Sequence, residues 1–354
     1  MLFQKINKIL VIRTDRIGDV VLTTPVFKAL RNAYPAAHIA VLVTPVTVDL
    51  VRGNPYIDDV IIDDRNGVNR GLIGSLKLAR TIRQHHFDMA IIYHTKRRYN
   101  LTCYLAGIPA RIGFKNDKFG FLLTHPCQDE RFKGERHEAQ YCLDVLKAVG
   151  IEDAGLEILI PTQKEGEQWA AAWFNDNNLL PGELIAIHPG ASDTTRLWPS
   201  AHFAALIDAL AIRYAVKIVL IGGKETSGTA QEIMRLSKAP ALDVTGKTTV
   251  AQTASLLRRC RLLISNDSGP LHIGAGVGIY VICLFLRNQP GINPTRWRPL
   301  GLKAHMLTNK PGEEIMLDDK GKIKSGRLDS ITVDDALGLV EEIFVKNSQS
   351  MFYW

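Results

Sequence analysis

Residues 8–30 read KILVIRTDRIGDVVLTTPVFKAL. Residues 9–12 are unbroken hydrocarbon, and the chain then passes straight into two guanidinium groups and two carboxylates: Arg13, Asp15, Arg16 and Asp19. A short apolar run that ends abruptly at charge reads as a buried strand, and the longer pattern over 20–33 reads as the helix that follows. Strand, polar loop and helix in that order open a βαβ unit, which puts the charged loop at the carboxyl end of a parallel strand. At the head of the helix, Asp19 suits an N-cap or first-turn carboxylate stabilised by the helix dipole. Pro25 falls inside the helical pattern and predicts a kink or a short initial turn.

The alternation continues along the chain. Strand patterns at 38–43, 59–62 and 89–93 resume after a gap at 184–188, 217–221, 262–265 and 280–286. Helical patterns cover 72–84, 138–149, 165–175, 201–211, 229–236, 250–258 and 271–275. This predicts an α/β protein of two Rossmann-like, doubly wound domains facing a cleft. Pro, Gly and Asn cluster around ILIPTQKEGE and NDNNLLPGEL, so the expected domains are 1–165 and 166–354, with a helix after Thr332 that can pack back on the first domain.

A chain of 354 residues, 46% hydrophobic and 22% charged, supports two such cores and excludes a disordered or fibrous protein. Its longest apolar stretch, VGIYVICLFL, is about half the ~20 residues of a spanning helix, and Lys5 and Lys8 interrupt the first apolar segment where a secretory signal would need a core. A cytosolic location is expected. The cysteines Cys103, Cys127, Cys142, Cys260 and Cys283 form no Cys-x-x-Cys pair and read as reduced structural thiols. The histidines lack ligand spacing, so no protein-held metal and no cofactor are expected.

Charge is uneven. Of a net +7, residues 65–136 hold 14 Lys and Arg against five Asp and Glu, a local +9. A basic face of this kind suits nucleic acid, an acidic membrane surface or a phosphorylated substrate, or it is simply solvated.

The second half offers three polar loops after strands. In LLISNDSGPLHIGAGVG (262–278) small residues precede a helix, a turn where backbone N–H groups can approach phosphate, with an ordinary N-cap by Asp267 or Ser268 as the plainer reading. IAIHPGASDTTRLWP (185–199) supplies Ser192, Thr194, Thr195 and Arg196, and VLIGGKE (219–225) delivers Glu225, placed as a ribose-binding carboxylate would be. DVTGKTT lacks the upstream glycine of a P-loop, Ala241 standing in its place, and no Gly-x-Gly-x-x-Gly follows the first strand.

In order along the chain, VIRTDRIGDVVLTTPVFKALRNAYPAAHIAVLV, LAGIPARIGF, HPGAS, RLWP, LIGGKE and VTGKTTVAQTASLLRRCRLLISNDSGPLHIGA resemble glycosyltransferase family 9, the ADP-heptose:lipopolysaccharide heptosyltransferases. The resemblance implies the two-Rossmann glycosyltransferase B fold, with the acceptor half first and the nucleotide-sugar half second. It implies that Asp19 is the general base of an inverting transfer of heptose from ADP-heptose, a substrate, to an anionic lipid A-core acceptor. On the donor side it points to Ser192, Thr195, Arg196 (often Lys in the family), Glu225, Asp267, the N–H groups of Ser268 and Gly269, and His272. Arg16 and the KRRYN cations Lys96, Arg97 and Arg98 are the expected acceptor contacts. Work at the inner face of the cytoplasmic membrane of a Gram-negative bacterium follows, peripheral and without nucleic acid. LRNQPGINPTRWRP (286–299) departs from the family pattern near the base. Another nucleotide sugar, or a non-catalytic nucleotide-sugar or nucleic-acid binding protein, is the alternative.

Overall fold

The computed structural model describes residues 6–317 and 322–350. The chain divides into two compact units, Met1–Gln163 and Lys164–Trp354, a boundary two residues before the expected one.

The first unit runs β1 (Lys8–Ile12), α1 (Ile17–Ala33), β2 (His38–Val43), β3 (Asp59–Ile62), α2 (Gly71–His85), β4 (Met89–Ile92), α3 (Arg97–Leu105), β5 (Ala110–Phe114), β6 (His125–Cys127) and α4 (Glu138–Lys147). Its strands lie parallel in the order β3-β2-β1-β4-β5-β6. That is the Rossmann order, with β1 at the switch point where the winding reverses. Because β1 is covered on both faces, Ile9 to Ile12 are all fully buried. Leu10 and Ile12 pack with Leu42, Ile92, Leu78, Ile82 and Tyr99 beneath α2 and α3. Alternation turns Ile9 and Val11 to the opposite face, the side of the packed pair α1 and α4.

α1 continues through Pro25 as one helix. A proline there has no N–H for the carbonyl of Val21, and that oxygen instead accepts from the Thr24 hydroxyl at 2.8 Å.

The second unit runs α5 (Lys164–Asp176), β7 (Leu184–His188), α6 (Ser200–Tyr214), β8 (Lys217–Leu220), α7 (Ser227–Leu236), β9 (Ala241–Asp243), α8 (Val250–Arg259), β10 (Leu262–Asn266), α9 (Gly269–Gly276), β11 (Tyr280–Phe285), α10 (Pro294–Trp297) and β12 (Ala304–Thr308). A small hairpin, Met316–Leu317 with Ile323–Ser325, precedes α11 (Val333–Ser350). The parallel order β12-β11-β10-β7-β8-β9 repeats the topology of the first sheet, with β7 in the place of β1. Ile185, Ile187, Ile264 and Ile282 form a core with Phe203, Leu206 and Leu210 of α6, and with Val340, Ile343 and Phe344 of α11. Val340, Ile343 and Phe344 of the C-terminal helix thus pack on α6 within the second unit.

Among the described residues, no helix is long and apolar enough to cross a membrane. All five cysteines are free thiols, four of them buried.

Candidate functional site

Parallel strands all point one way, so in each unit the loops that leave the carboxyl ends of the strands converge on one edge. In the first unit β1 delivers Arg13, β4 delivers Tyr93 and His94, and β3 delivers Asp63. The Arg13 side chain is 1% exposed, and it meets three carboxylates: Asp15 at 3.0 Å, Asp19 at 2.5 Å and Glu138, the first residue of α4, at 2.9 Å. Glu138 is itself fully buried and lies 3.8 Å from Arg131, which pairs with Asp129 at 2.7 Å and stacks over the Phe114 ring.

Four carboxylates thus share two guanidinium groups. Burial raises the proton affinity of Asp19 to about 6; Arg13 opposes this, while the charges of Asp15 and Glu138 add to it. Burial sets the direction, and because Arg13 is shared among three acids it does not reverse it. A side chain that is 15% exposed with such an affinity is ionised at pH 7 yet basic enough to accept a proton. Beside it, the ring of His94 lies 2.8 Å from the Thr14 hydroxyl and is held neutral, its pKa lowered to about 3 by burial and by the charges of Lys96, Arg13 and Arg65.

Of the expected acceptor contacts, Arg16 is the exposed N-cap of α1 and Lys96 the exposed N-cap of α3, while Arg97 is exposed over the Phe119 ring. Arg98 is half-buried and ion-paired. It forms a fork on the fully buried Asp63 at 3.1 and 2.8 Å, and it also donates to Ser75 Oγ at 2.6 Å and to the Asn69 carbonyl at 2.8 Å. Every guanidinium nitrogen is occupied, so Arg98 is a structural tie between α3, β3 and the start of α2.

In the second unit, β10 ends at Asn266, and after Asp267 α9 begins at Gly269 with Ser268 as N-cap, two positions before the expected start at Leu271. The Ser268 hydroxyl does not cap the helix but lies 2.9 Å from His188 Nδ1. Burial holds His188 neutral, its pKa lowered to about 4. Arg196 donates to the Asp267 carbonyl at 3.2 Å and to its carboxylate at 3.3 Å, and to the Ser192 hydroxyl, while its buried Nε has no hydrogen-bond partner. Asp267 is buried and its proton affinity is raised by burial, against the charges of Arg196 and Arg287. The structure therefore brings Ser192, Arg196, Asp267, Ser268 and Gly269 together.

Thr195 is buried, and both its N–H and its hydroxyl donate to Asp193, at 2.9 and 2.8 Å, so it shapes the loop. Glu225 is exposed, with its carboxylate in the space that a Cβ on Gly223 would fill. His272 is buried in α9. Sequence reading passed over Asp193, His188 and Arg287. Arg287 reaches Asp193 at 3.3 Å and is nearly buried, although it lies 94 residues away. It stands in the 286–299 segment that departs from the family pattern. Among the described residues, no group of three or more His, Cys, Asp or Glu is placed to hold a metal ion.

Two Rossmann-like units joined in one chain, each with a polar carboxyl edge, are the architecture of B-type glycosyltransferases. The sequence profile of glycosyltransferase family 9 (heptosyltransferase) matches residues 75–323, and the chain belongs to that family. It is 25% identical over 313 residues to lipopolysaccharide heptosyltransferase 2 of Escherichia coli K12, covering 85% of this chain and 87% of that one. A family 9 glycosyltransferase structure from Veillonella parvula superposes with a TM-score of 0.86 at 25% identity, over 97% of this chain and 99% of the other. The structure of the E. coli ADP-heptose lipopolysaccharide heptosyltransferase II has the same fold, with a TM-score of 0.77 at 21% identity over 96% and 99% of the chains.

The sharing of Arg13 has a measurable outcome. In a carbon-13 NMR titration the Asp19 carboxyl is expected to titrate with a midpoint near the value of about 6. Glu138→Gln removes a neighbouring negative charge and frees Arg13, so the midpoint moves down. A wild-type midpoint in the ordinary range, about 4, would refute the account.

Proposed function

We propose that this chain is an inverting glycosyltransferase that moves heptose from ADP-heptose to the inner core of lipopolysaccharide. The Asp19 carboxyl carries the reading, being partly exposed at a strand-to-helix edge with a proton affinity of about 6. Membership of the family supports it, as do the names of relatives that act on lipopolysaccharide and use ADP-heptose.

Transfer requires an acceptor hydroxyl to attack the anomeric carbon of the heptose from the face opposite the diphosphate. Asp19 takes the proton of that hydroxyl as the new carbon–oxygen bond forms and the bond to ADP breaks, so a single displacement inverts the centre. The departing diphosphate gains negative charge, which in this proposal is met by Arg196, by the first N–H groups of α9 and by the α9 dipole. Arg196 is held by Asp267 and Ser192, so binding ADP exchanges part of that pairing for phosphate oxygen. Glu225 takes the ribose hydroxyls, and His272 supports the donor from within α9. Arg16, Lys96 and Arg97, exposed at the edge of the first unit, meet the anionic groups of the acceptor. The enzyme needs neither a resident metal nor nucleic acid, and it works peripherally at the inner face of the cytoplasmic membrane.

Asp19→Asn keeps shape but removes proton acceptance, so turnover is expected to fall by roughly 10² or more with ADP affinity little changed. Near wild-type turnover in a stopped assay of ADP release would rule out its role as base. Arg196→Ala is expected to weaken ADP binding by about 1.5–3 kcal/mol, the scale of a charge-assisted contact, by isothermal titration. Unchanged affinity would place the diphosphate elsewhere. The double variant Lys96→Ala, Arg97→Ala is expected to raise the Michaelis constant for acceptor several-fold at low salt, less at high salt, and to leave ADP affinity intact. Equal acceptor constants at low salt would remove both residues from the acceptor site.

A further inference from the structure

The outward face of α2 breaks the rule for a surface helix. Gly74, Leu78, Ala79 and Ile82 point inward, as they should. On the solvent side, where polar residues are expected, Leu72 is 83% exposed, Ile73 72% and Leu76 59%, and Val68 in the preceding turn is 75% exposed. Four large apolar side chains within nine residues form a patch, and exposed patches of this kind are retained for contacts.

The chemistry of that contact is set by its border. Between residues 65 and 87 there is no Asp or Glu, and Arg70, Lys77, Arg80 and Arg83 are exposed. At 3.6 residues per turn, Leu72, Leu76, Arg80 and Arg83 follow one outward stripe, so the first turns present hydrocarbon and the last ones cations. Apolar side chains ringed by cations match the boundary of an anionic bilayer, where acyl chains lie directly beneath phosphates. A second copy of the chain fits poorly, since a two-fold contact sets the same cations against one another.

The patch is also fixed in place. Arg98, joined to buried Asp63, donates to Ser75 Oγ and to the Asn69 carbonyl, which anchors the start of α2. Arg65 donates to the Thr14 carbonyl at 2.8 Å, which ties the loop before α2 to the loop that leads to Asp19. The apolar turn thus stands at the same sheet edge as the base.

We propose that residues 65–83 dock the protein on an anionic lipid bilayer, with Val68, Leu72, Ile73 and Leu76 inserted at the acyl boundary and Arg70, Lys77, Arg80 and Arg83 on the phosphates. The proposal deepens the functional reading above, because a lipid-borne acceptor would then be met at the surface that holds it. The test is flotation of the full chain with phosphatidylcholine vesicles, with or without phosphatidylglycerol, without donor or acceptor. Wild type is expected to float with the mixed vesicles at low salt, and much less with phosphatidylcholine alone or at high salt. The triple variant Leu72→Ser, Ile73→Ser, Leu76→Ser, with an unchanged circular dichroism spectrum, is expected to lose at least tenfold in partitioning. Its activity on an acceptor stripped of acyl chains is expected to stay at the wild-type level. Equal flotation of variant and wild type would overturn the proposal. So would equal binding to both vesicle types, or a wild-type dimer that the variant abolishes while neither floats. Flotation without heptose transfer would leave the docking surface standing and remove the functional reading.

Discussion

Everything at the edge of the first unit depends on one buried guanidinium. Arg13 is 1% exposed and serves carboxylates from three places in the chain: Asp15 beside it, Asp19 on α1 and Glu138 on α4. Removing it would strand those acids in a poorly solvated site, at a cost of several kcal/mol for a broken buried pair. Its position fixes how α1 and α4 lie on the sheet. Because it is outnumbered, it also leaves Asp19 incompletely neutralised, so burial, helped by the neighbouring acids, keeps that carboxyl basic.

The second unit repeats the topology with a different balance. Arg196 and Arg287 stand against Asp267 and Asp193, one cation to each acid, around loops of small polar residues. Matched pairs leave little net charge at the second edge, whereas the first edge holds an excess of acid. The same strand order therefore carries two chemistries, and only the side chains at the carboxyl ends differ.

What could be read from the sequence was local. The central strands were visible because both faces are buried and the runs are purely apolar. β5, β6, β9 and β12 were not: β5 carries Arg111 and Gly113, β6 has Pro126 at the sheet edge, and β9 spans three residues. α3 was hidden behind Lys96, Arg97 and Arg98, whose charges suggested a ligand more than a helix. At the two edges, the places of Asp19, Arg196, Asp267 and Ser268 are legible because each follows a strand within its own segment. Glu138 and Arg287 are not, since they act on residues 125 and 94 positions away. The tie that Arg98 makes is hidden for the same reason: Asp63, which pairs with it, lies 35 residues earlier.

The buried Trp198 closes the loop that holds Ser192 and Arg196. Its backbone N–H donates to the Asn266 side chain at 3.1 Å, and its indole N–H to the Ile331 carbonyl at 2.8 Å, a partner 133 residues further on. During synthesis the ribosome adds residues at roughly 5–20 per second, so that loop waits about 7–27 seconds for its last fastening to be made. The first unit can be complete while the second is still an open sheet with an untethered tryptophan. The chain therefore acquires its two edges at different times, and the edge that carries Ser192 and Arg196 is finished last.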